Sequence, residues 1–333
     1  MVFPAQPRMA QRILEPGQIE TLAQRSIPRV RLPDRTRLFS RRATRLRELA
    51  EGAAIGDYLQ LLAGLADAQH AALADFPAPA PDAAQLERAG EHRMPPIHAP
   101  TWPRAPQWLD VLDGICAAVT ARHEFPAGVA AIGARLRGAP REWIEAQADA
   151  LLAVRHEAVD AAAAPFLMAA LQVHWAALSS RFIADKVQAL DVPGVCPLCG
   201  SLPVASVVCA QSPYQGYRYL HCALCATEWH MVRVLCSHCG AAGRDIGYYT
   251  VEAGTIENAS HEASSDEQQH AAAVRAETCE QCRNYRKILY QEKDPGVEPV
   301  ADDLASLALD LLLGEQGYHR ASGNPLLWQP SVA

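Results

Sequence analysis

The stretch 196–240, CPLCGSLPVASVVCAQSPYQGYRYLHCALCATEWHMVRVLCSHCG, decides how this chain is read. It holds three Cys-x-x-Cys pairs, Cys196/Cys199, Cys222/Cys225 and Cys236/Cys239, and a fourth pair, Cys279/Cys282, follows. Two residues between paired cysteines let one tight turn present both sulfurs to a tetrahedral metal at about 2.3 Å. A glycine just after the second cysteine suits such a turn, because it tolerates positive φ. Gly200 and Gly240 meet that requirement, whereas Ala226 and Arg283 fit it only in part. Short β-like runs, Leu202–Val208, Arg218–Leu220, Trp229–Leu235 and Ile246–Val251, punctuate the pairs.

Each knuckle–hairpin–knuckle segment has the layout of a zinc ribbon or rubredoxin-like module. Cys196, Cys199, Cys222 and Cys225 are therefore expected to form one metal site, and Cys236, Cys239, Cys279 and Cys282 a second. This closes the loops 200–221 and 240–278; interleaved pairing is the alternative, and loop entropy separates the two by only about a few tenths of a kcal/mol. Each metal is expected to fix its own module, so that chelation unfolds this half and leaves the helical half largely intact. His221, His230 and His238 crowd the knuckles as candidates for outer-shell hydrogen bonds to sulfur. Cys209 and Cys116, outside the pairs, read as small buried hydrophobes.

Ten cysteines in 333 residues raise the question of compartment. The opening MVFPAQPRMAQRILEPGQ has no apolar signal core, and Ala161–Ser180 is too weakly apolar for a membrane span. A reducing, cytoplasmic setting without membrane insertion is the expectation, and clustered cysteines there read as metal ligands or redox thiols. A formal charge of −7 argues against a broad nucleic-acid surface.

Length suggests about two domains, and the texture changes near residue 190. Before it, Phe39, Leu46, Leu49, Tyr58, Leu62 and Leu65 recur at helical spacing, with Gly52 and Gly56 dividing two helices. Segments 108–122 and 140–159 look helical too. Leu167, Leu171, Trp175, Leu178 and Phe182 predict a one-faced helical stripe. Eight prolines in 76–106 predict an extended, partly ordered connector. Arg35, Arg37, Arg41, Arg42, Arg45 and Arg47 read as the solvated face of a helix. Residues 252–270 read as a mobile loop, and 302–315 as a last amphipathic helix striped by Leu304, Leu307, Leu311 and Leu312.

The fold expected is thus α with a small β part: a helical domain (1–190), two four-cysteine ribbons (191–230 and 231–295), and a C-terminal helix and tail (296–333). No Walker loop, dinucleotide fingerprint, nucleophile elbow or His-Glu-x-x-His nominates a catalytic residue. A thiol or persulfide exchange enzyme is one alternative, although such thiols normally sit at a helix N-terminus. A nucleic-acid-binding zinc ribbon, using Arg218, Arg233, Arg244, Arg283 and Arg286, is the other.

The runs CPLCGSLPVAS (196–206), RYLHCALCATEWH (218–230), VLCSHCG (234–240) and CEQCRNYRK (279–287) resemble the formate dehydrogenase accessory protein FdhE family. So does the tail DDLASLALDLLLGEQGYHRASGNPLL (302–327) and, more loosely, 38–69. The resemblance implies a non-enzymatic cytoplasmic factor that binds the catalytic subunit of a molybdenum-containing respiratory formate dehydrogenase before export. It also implies rubredoxin-like sites holding iron; thiolate chemistry alone allows iron or zinc.

Overall fold

A computed structural model describes residues 27–79, 81–252, 255–258 and 272–327. Among the described residues, after a short strand, come seven α-helices: α1 (Leu38–Ala50), α2 (Gly56–Asp75), α3 (Ala83–Glu91), α4 (Trp108–Thr120), α5 (Ala127–Arg137), α6 (Arg141–Leu152) and α7 (Ala164–Ser179). Gly52, at φ 70°, turns the chain between α1 and α2 as the sequence predicts. The proline-rich stretch is not wholly extended. Its interior from 82 to 94 lacks proline, and α3 forms there with the Asp82 carboxylate capping the Ala84 amide.

The predicted stripe on α7 is corrected by the structure: every residue from Ala164 to Ser179 is buried. Alanines at 169, 170, 176 and 177 let α2, α4 and α6 approach closely, while the cysteine half covers the remaining side. A helix hidden on all faces has no need of a polar one.

Among the described residues nine strands form one sheet: β1 (Val30–Arg31), β2 (Pro203–Val208), β3 (Arg218–Cys222), β4 (Glu228–His230), β5 (Ile246–Glu252), β6 (Thr255–Asn258), β7 (Val274–Cys279), β8 (Asn284–Tyr290) and β9 (His319–Arg320). The order is β1-β4-β3-β2-β8-β7-β5-β6, with β9 beside the start of β8. The two cysteine segments are therefore joined, since β2 of the first runs parallel to β8 of the second, Ser206 opposite Ile288. The expected strand 229–235 stops at His230. The expected loop at 252–270 instead carries β6 through Asn258, and 259–271 lies outside the described residues.

The last helix is two: α8 (Pro299–Ala305) and α9 (Leu307–Glu315), broken at Ser306, whose hydroxyl donates back to the Asp302 carbonyl at 2.7 Å. Of the expected stripe Leu304 is buried, but in α9 Leu309 and Leu313 face inward in place of Leu307, Leu311 and Leu312, and Leu311 is 73% exposed.

The arginines at 35–47 form a solvated face only in part: Arg37 and Arg41 are exposed and the Arg47 side chain is 40% exposed, but Arg42 and Arg45 turn inward. Arg42 is 1% exposed; its Nε donates to Glu298 Oε1 at 3.0 Å and its Nη1 to Gln172 Oε1 at 3.2 Å. Arg45 grips Asp302 through two nitrogens, at 3.0 and 2.6 Å, and Asp294 at 2.6 Å. Arg35 donates to the carbonyls of Leu73 and Phe76. The C-terminal segment is thereby locked to the first helix. One continuous hydrophobic core runs from Phe39 and Leu62 through α7 to Leu198, Val204, Leu224 and Leu304. The helices and the first cysteine segment share that core, while Ala276, Tyr285, Leu309, Leu313 and Tyr318 form a second, smaller cluster.

Two outcomes follow for stability. Replacing Arg42 with Leu leaves Glu298 buried without its cation and is expected to destabilise the fold by about 3–5 kcal/mol. Denaturant midpoints of R42L and of R42L/E298Q check this; the double variant should recover part of the loss. His174, buried between Phe76 and Trp175 with neither ring nitrogen bonded, is held neutral, its pKa lowered to about 4 by burial and by Arg104. The unfolded chain takes up that proton near pH 6.5, so stability is full above that pH and falls progressively towards pH 4. Thermal melts across this window should flatten in H174F.

Candidate metal centres

All four Cys-x-x-Cys turns have the same backbone. In each, the residue after the second cysteine has positive φ: Gly200 at 77°, Ala226 at 57°, Gly240 at 79° and Arg283 at 56°. The turns predicted to fit only in part thus fit fully, with two side-chain-bearing residues held in a conformation that costs about 1–2 kcal/mol each. The shared position, rather than glycine itself, was the signal to look for. In three turns a second link closes the loop: the amides of Cys196, Cys222 and Cys236 donate to the carbonyls of Ser201, Thr227 and Ala241 at 2.8–2.9 Å.

The turns meet in sequential pairs. The sulfurs of Cys196, Cys199, Cys222 and Cys225 lie within 4.8 Å of one another, and so do those of Cys236, Cys239, Cys279 and Cys282. Individual separations are 3.5 Å (Cys196–Cys225) and 3.4 Å (Cys199–Cys222) in the first group. In the second they are 3.8 Å (Cys236–Cys282) and 3.6 Å (Cys239–Cys279). A tetrahedron with metal–sulfur bonds of about 2.3 Å has edges of about 3.8 Å. Both groups therefore fit a tetrahedral ion.

Electrostatics support the fit. Burial pushes the Cys196 and Cys222 thiols well up, whereas hydrogen bonds from the neighbouring sulfurs overcome burial at Cys199 and hold it well down. The Cys199 proton leaves readily and those of Cys196 and Cys222 do not, because successive thiolate charges repel in a buried site. A cation at the centre is what lets all four ionise. The amides of Leu224 and Cys225 point at Cys222 Sγ (both 3.4 Å), that of His238 points at Cys236 Sγ (3.4 Å), and Thr227 Oγ1 lies 3.2 Å from Cys225 Sγ.

The three histidines are placed differently. His221 Nδ1 meets Glu228 Oε1 at 3.1 Å, the His230 ring lies edge-on to Tyr217 and Tyr219, and the His238 side chain is exposed. Backbone amides donate to the paired sulfurs, Cys225 Sγ donates to Thr227 Oγ1, and the unpaired Cys209 accepts from Arg31 Nη1 at 3.1 Å. Cys116 and Cys209 are buried thiols, pushed up by burial to about 12 and about 11.

The first group sits at the seam between helices and sheet. Ile97 and Ala99 amides donate to the Leu198 and Cys199 carbonyls (3.0 and 2.9 Å). Gln172 Nε2 and Ser179 Oγ, both on α7, donate to the carbonyls of Ala223 (2.8 Å) and Cys225 (3.0 Å). The sequence held no local sign of these two α7 clamps. Beside this group opens a groove of about 930 Å³, lined among others by Val154, Leu202, Leu224, Leu311 and Arg320. The second group lies at the surface. There Gly194 abuts the turn so closely that a Cβ would meet the Ser237 carbonyl oxygen at 2.3 Å.

Comparison with known proteins agrees along the chain. Three family models match in succession: "FdhE, N-terminal" over residues 27–191, "FdhE, central domain" over 195–233 and "FdhE, C-terminal domain" over 234–327. A "Protein FdhE homolog" of Cronobacter sakazakii is 41% identical over 325 residues, covering 96% of this chain and 98% of the relative. "Protein FdhE" of Salmonella choleraesuis is 41% identical over 316 residues, covering 94% and 96%. The crystal structure of the FdhE protein from Pseudomonas aeruginosa superposes with a TM-score of 0.77 at 41% identity, covering 90% of this chain and 99% of that one. On its sequence, its fold and its paired cysteine turns alike, the chain belongs to the FdhE family.

Proposed function

We propose that this protein is a non-enzymatic accessory factor for formate dehydrogenase. In this reading all eight paired cysteines are metal ligands, and the chain binds the catalytic subunit of the enzyme, a respiratory molybdenum-containing type, in the cytoplasm before export. The observation that carries it is the convergence of those cysteines into two tetrahedral sulfur groups in a chain matching FdhE from end to end. A metal so held cross-links its turns; iron, favoured over zinc by the family resemblance, would in addition change oxidation state. Groups of four sulfurs favour this over thiol exchange, which needs two. Of the arginines a nucleic-acid surface would use, Arg218 and Arg286 are buried and Arg218 is paired with Glu277 at 2.7 Å, which weakens that reading. Among the described residues no helix is long and apolar enough to cross a membrane.

The groove beside the first group is the surface that suits a client segment. Val154, Leu202 and Leu311 expose apolar side chains in one concavity, which marks binding sites more often than chance.

Anaerobically purified protein is expected to contain two metal ions per chain by elemental analysis, with thiolate charge-transfer bands if they are iron. Removing them should shift the emission of Trp175 and Trp229, whose indoles bond to Ile97 and Pro193 beside the cysteine turns. Tagged protein co-expressed anaerobically with the catalytic subunit should retain that subunit on purification. L311E should lose at least about tenfold of the captured subunit while keeping its metal and melting temperature. Failure of the intact chain to capture the subunit would overturn the client assignment.

A further inference from the structure

The two sulfur groups differ in one respect that the family assignment does not explain. In the first, Cys196, Cys199, Cys222 and Cys225 are all buried. In the second, only the leading cysteine of each turn is covered: Cys236 and Cys279 are buried, Cys282 is partly open and Cys239 is exposed. The residues between the cysteines follow suit. Leu198 and Leu224, within CPLC and CALC, are buried in the main core, whereas His238, Glu280 and Gln281, within CSHC and CEQC, face solvent.

The covering elements differ in kind. The first group's turns are clamped by the segment 97–99 and by Gln172 and Ser179 of the fully buried α7. Reaching a sulfur there requires opening the core that the helices share with the first cysteine segment. The first group's cysteines belong to that main hydrophobic core, whereas among the described residues the second group is backed by polar side chains outside it. Arg286 Nε donates to Ser237 Oγ at 2.8 Å behind the third turn. The fourth turn is propped by Arg283, which bonds to the Gln316 carbonyl at 2.8 Å and lies 4.0 Å from the centre of the Tyr318 ring.

We infer that the second site is an accessible metal-exchange position and that the first is a permanent structural one; the inference rests on the reading of both groups as metal sites. With a metal bound, Cys239 would be the first thiolate to give way to an incoming chelator donor, since it is the exposed member of the group. Cys282, partly open, would follow, and the buried Cys236 and Cys279 would release last. No electron is transferred, and each released thiolate takes a proton from water or remains ionised according to pH. Ligand exchange of this kind proceeds from solvent at the second site, but only through sub-global opening at the first.

The test uses the full chain loaded with two equivalents of Zn²⁺ and an excess of the chromogenic chelator 4-(2-pyridylazo)resorcinol. One equivalent should leave at least about tenfold faster than the other. C239S should lose the fast equivalent or accelerate it further, leaving the slow phase and the melting temperature of the remainder unchanged. Alkylation of the loaded chain with iodoacetamide, mapped by mass spectrometry, should modify Cys239 and Cys282 before any cysteine of the first group. Two equivalents leaving at one rate, or first labelling at Cys196, Cys199, Cys222 or Cys225, would overturn the inference while leaving the metal reading intact. A chain that binds no Zn²⁺ at all would overturn both.

Discussion

Four thiols buried within 4.8 Å of one another are the constraint around which the rest of this molecule is arranged. Sulfurs at 3.4–3.5 Å cannot all ionise in an apolar core without a cation, and without one they form a poor core. Placing that group at the seam makes one centre serve two layers. The carbonyls of its turns accept from α7 and from the segment 97–99, so the helical layer is registered on the sulfur site itself rather than on the sheet alone.

Polar side chains extend this registration across the interior. Glu298 pairs with Arg42, Arg42 donates to Gln172, and Gln172 donates to the Ala223 carbonyl between two cysteines. Gln69 of α2 shares the same Gln172 oxygen at 3.0 Å. The C-terminal segment, the first two helices, the central helix and the first sulfur group are thereby linked in one chain of hydrogen bonds. Buried networks of this kind add less stability than their number suggests, because each group has left water. They specify which surfaces meet. Lys287 does the same under α8 and α9, donating to the carbonyls of Asp303 and Ser306 and to the Asp310 carboxylate.

What was legible in the sequence was what is local. A Cys-x-x-Cys turn is complete within six residues, and the α1–α2 break needs only Gly52 and its neighbours, so both could be read directly. Sequential pairing was legible too, since each group closes through its own hairpin. The partnership of Arg42 with Glu298 spans 256 positions, and no local pattern distinguishes a buried arginine from a solvated one until its carboxylate is found. The parallel pairing of β2 with β8 escaped for the same reason: it joins two segments that each look self-sufficient. The α7 stripe misled because a helix covered from every side still contains a stripe. In the tail, the leucines recur so densely that Leu311 and Leu313 were indistinguishable by spacing, although one is open and the other buried.

One distinction was written in the sequence at a finer grain than the cysteine spacing. The residues enclosed by each pair, Pro-Leu and Ala-Leu in the first group, Ser-His and Glu-Gln in the second, are the ones that a turn projects away from its sulfurs. Apolar side chains there must be covered, and burying Leu198 and Leu224 draws the whole first group into the core. Polar side chains resist covering, since a buried carboxylate or imidazole without a partner is costly, and Glu280 and His238 hold the second group at the surface. Turns of one spacing are thus sorted into an interior and an exterior position by Leu198 and Leu224 on one side and His238, Glu280 and Gln281 on the other. The same fold therefore keeps one group as a fastener and presents the other to solvent, without altering the spacing of a single cysteine.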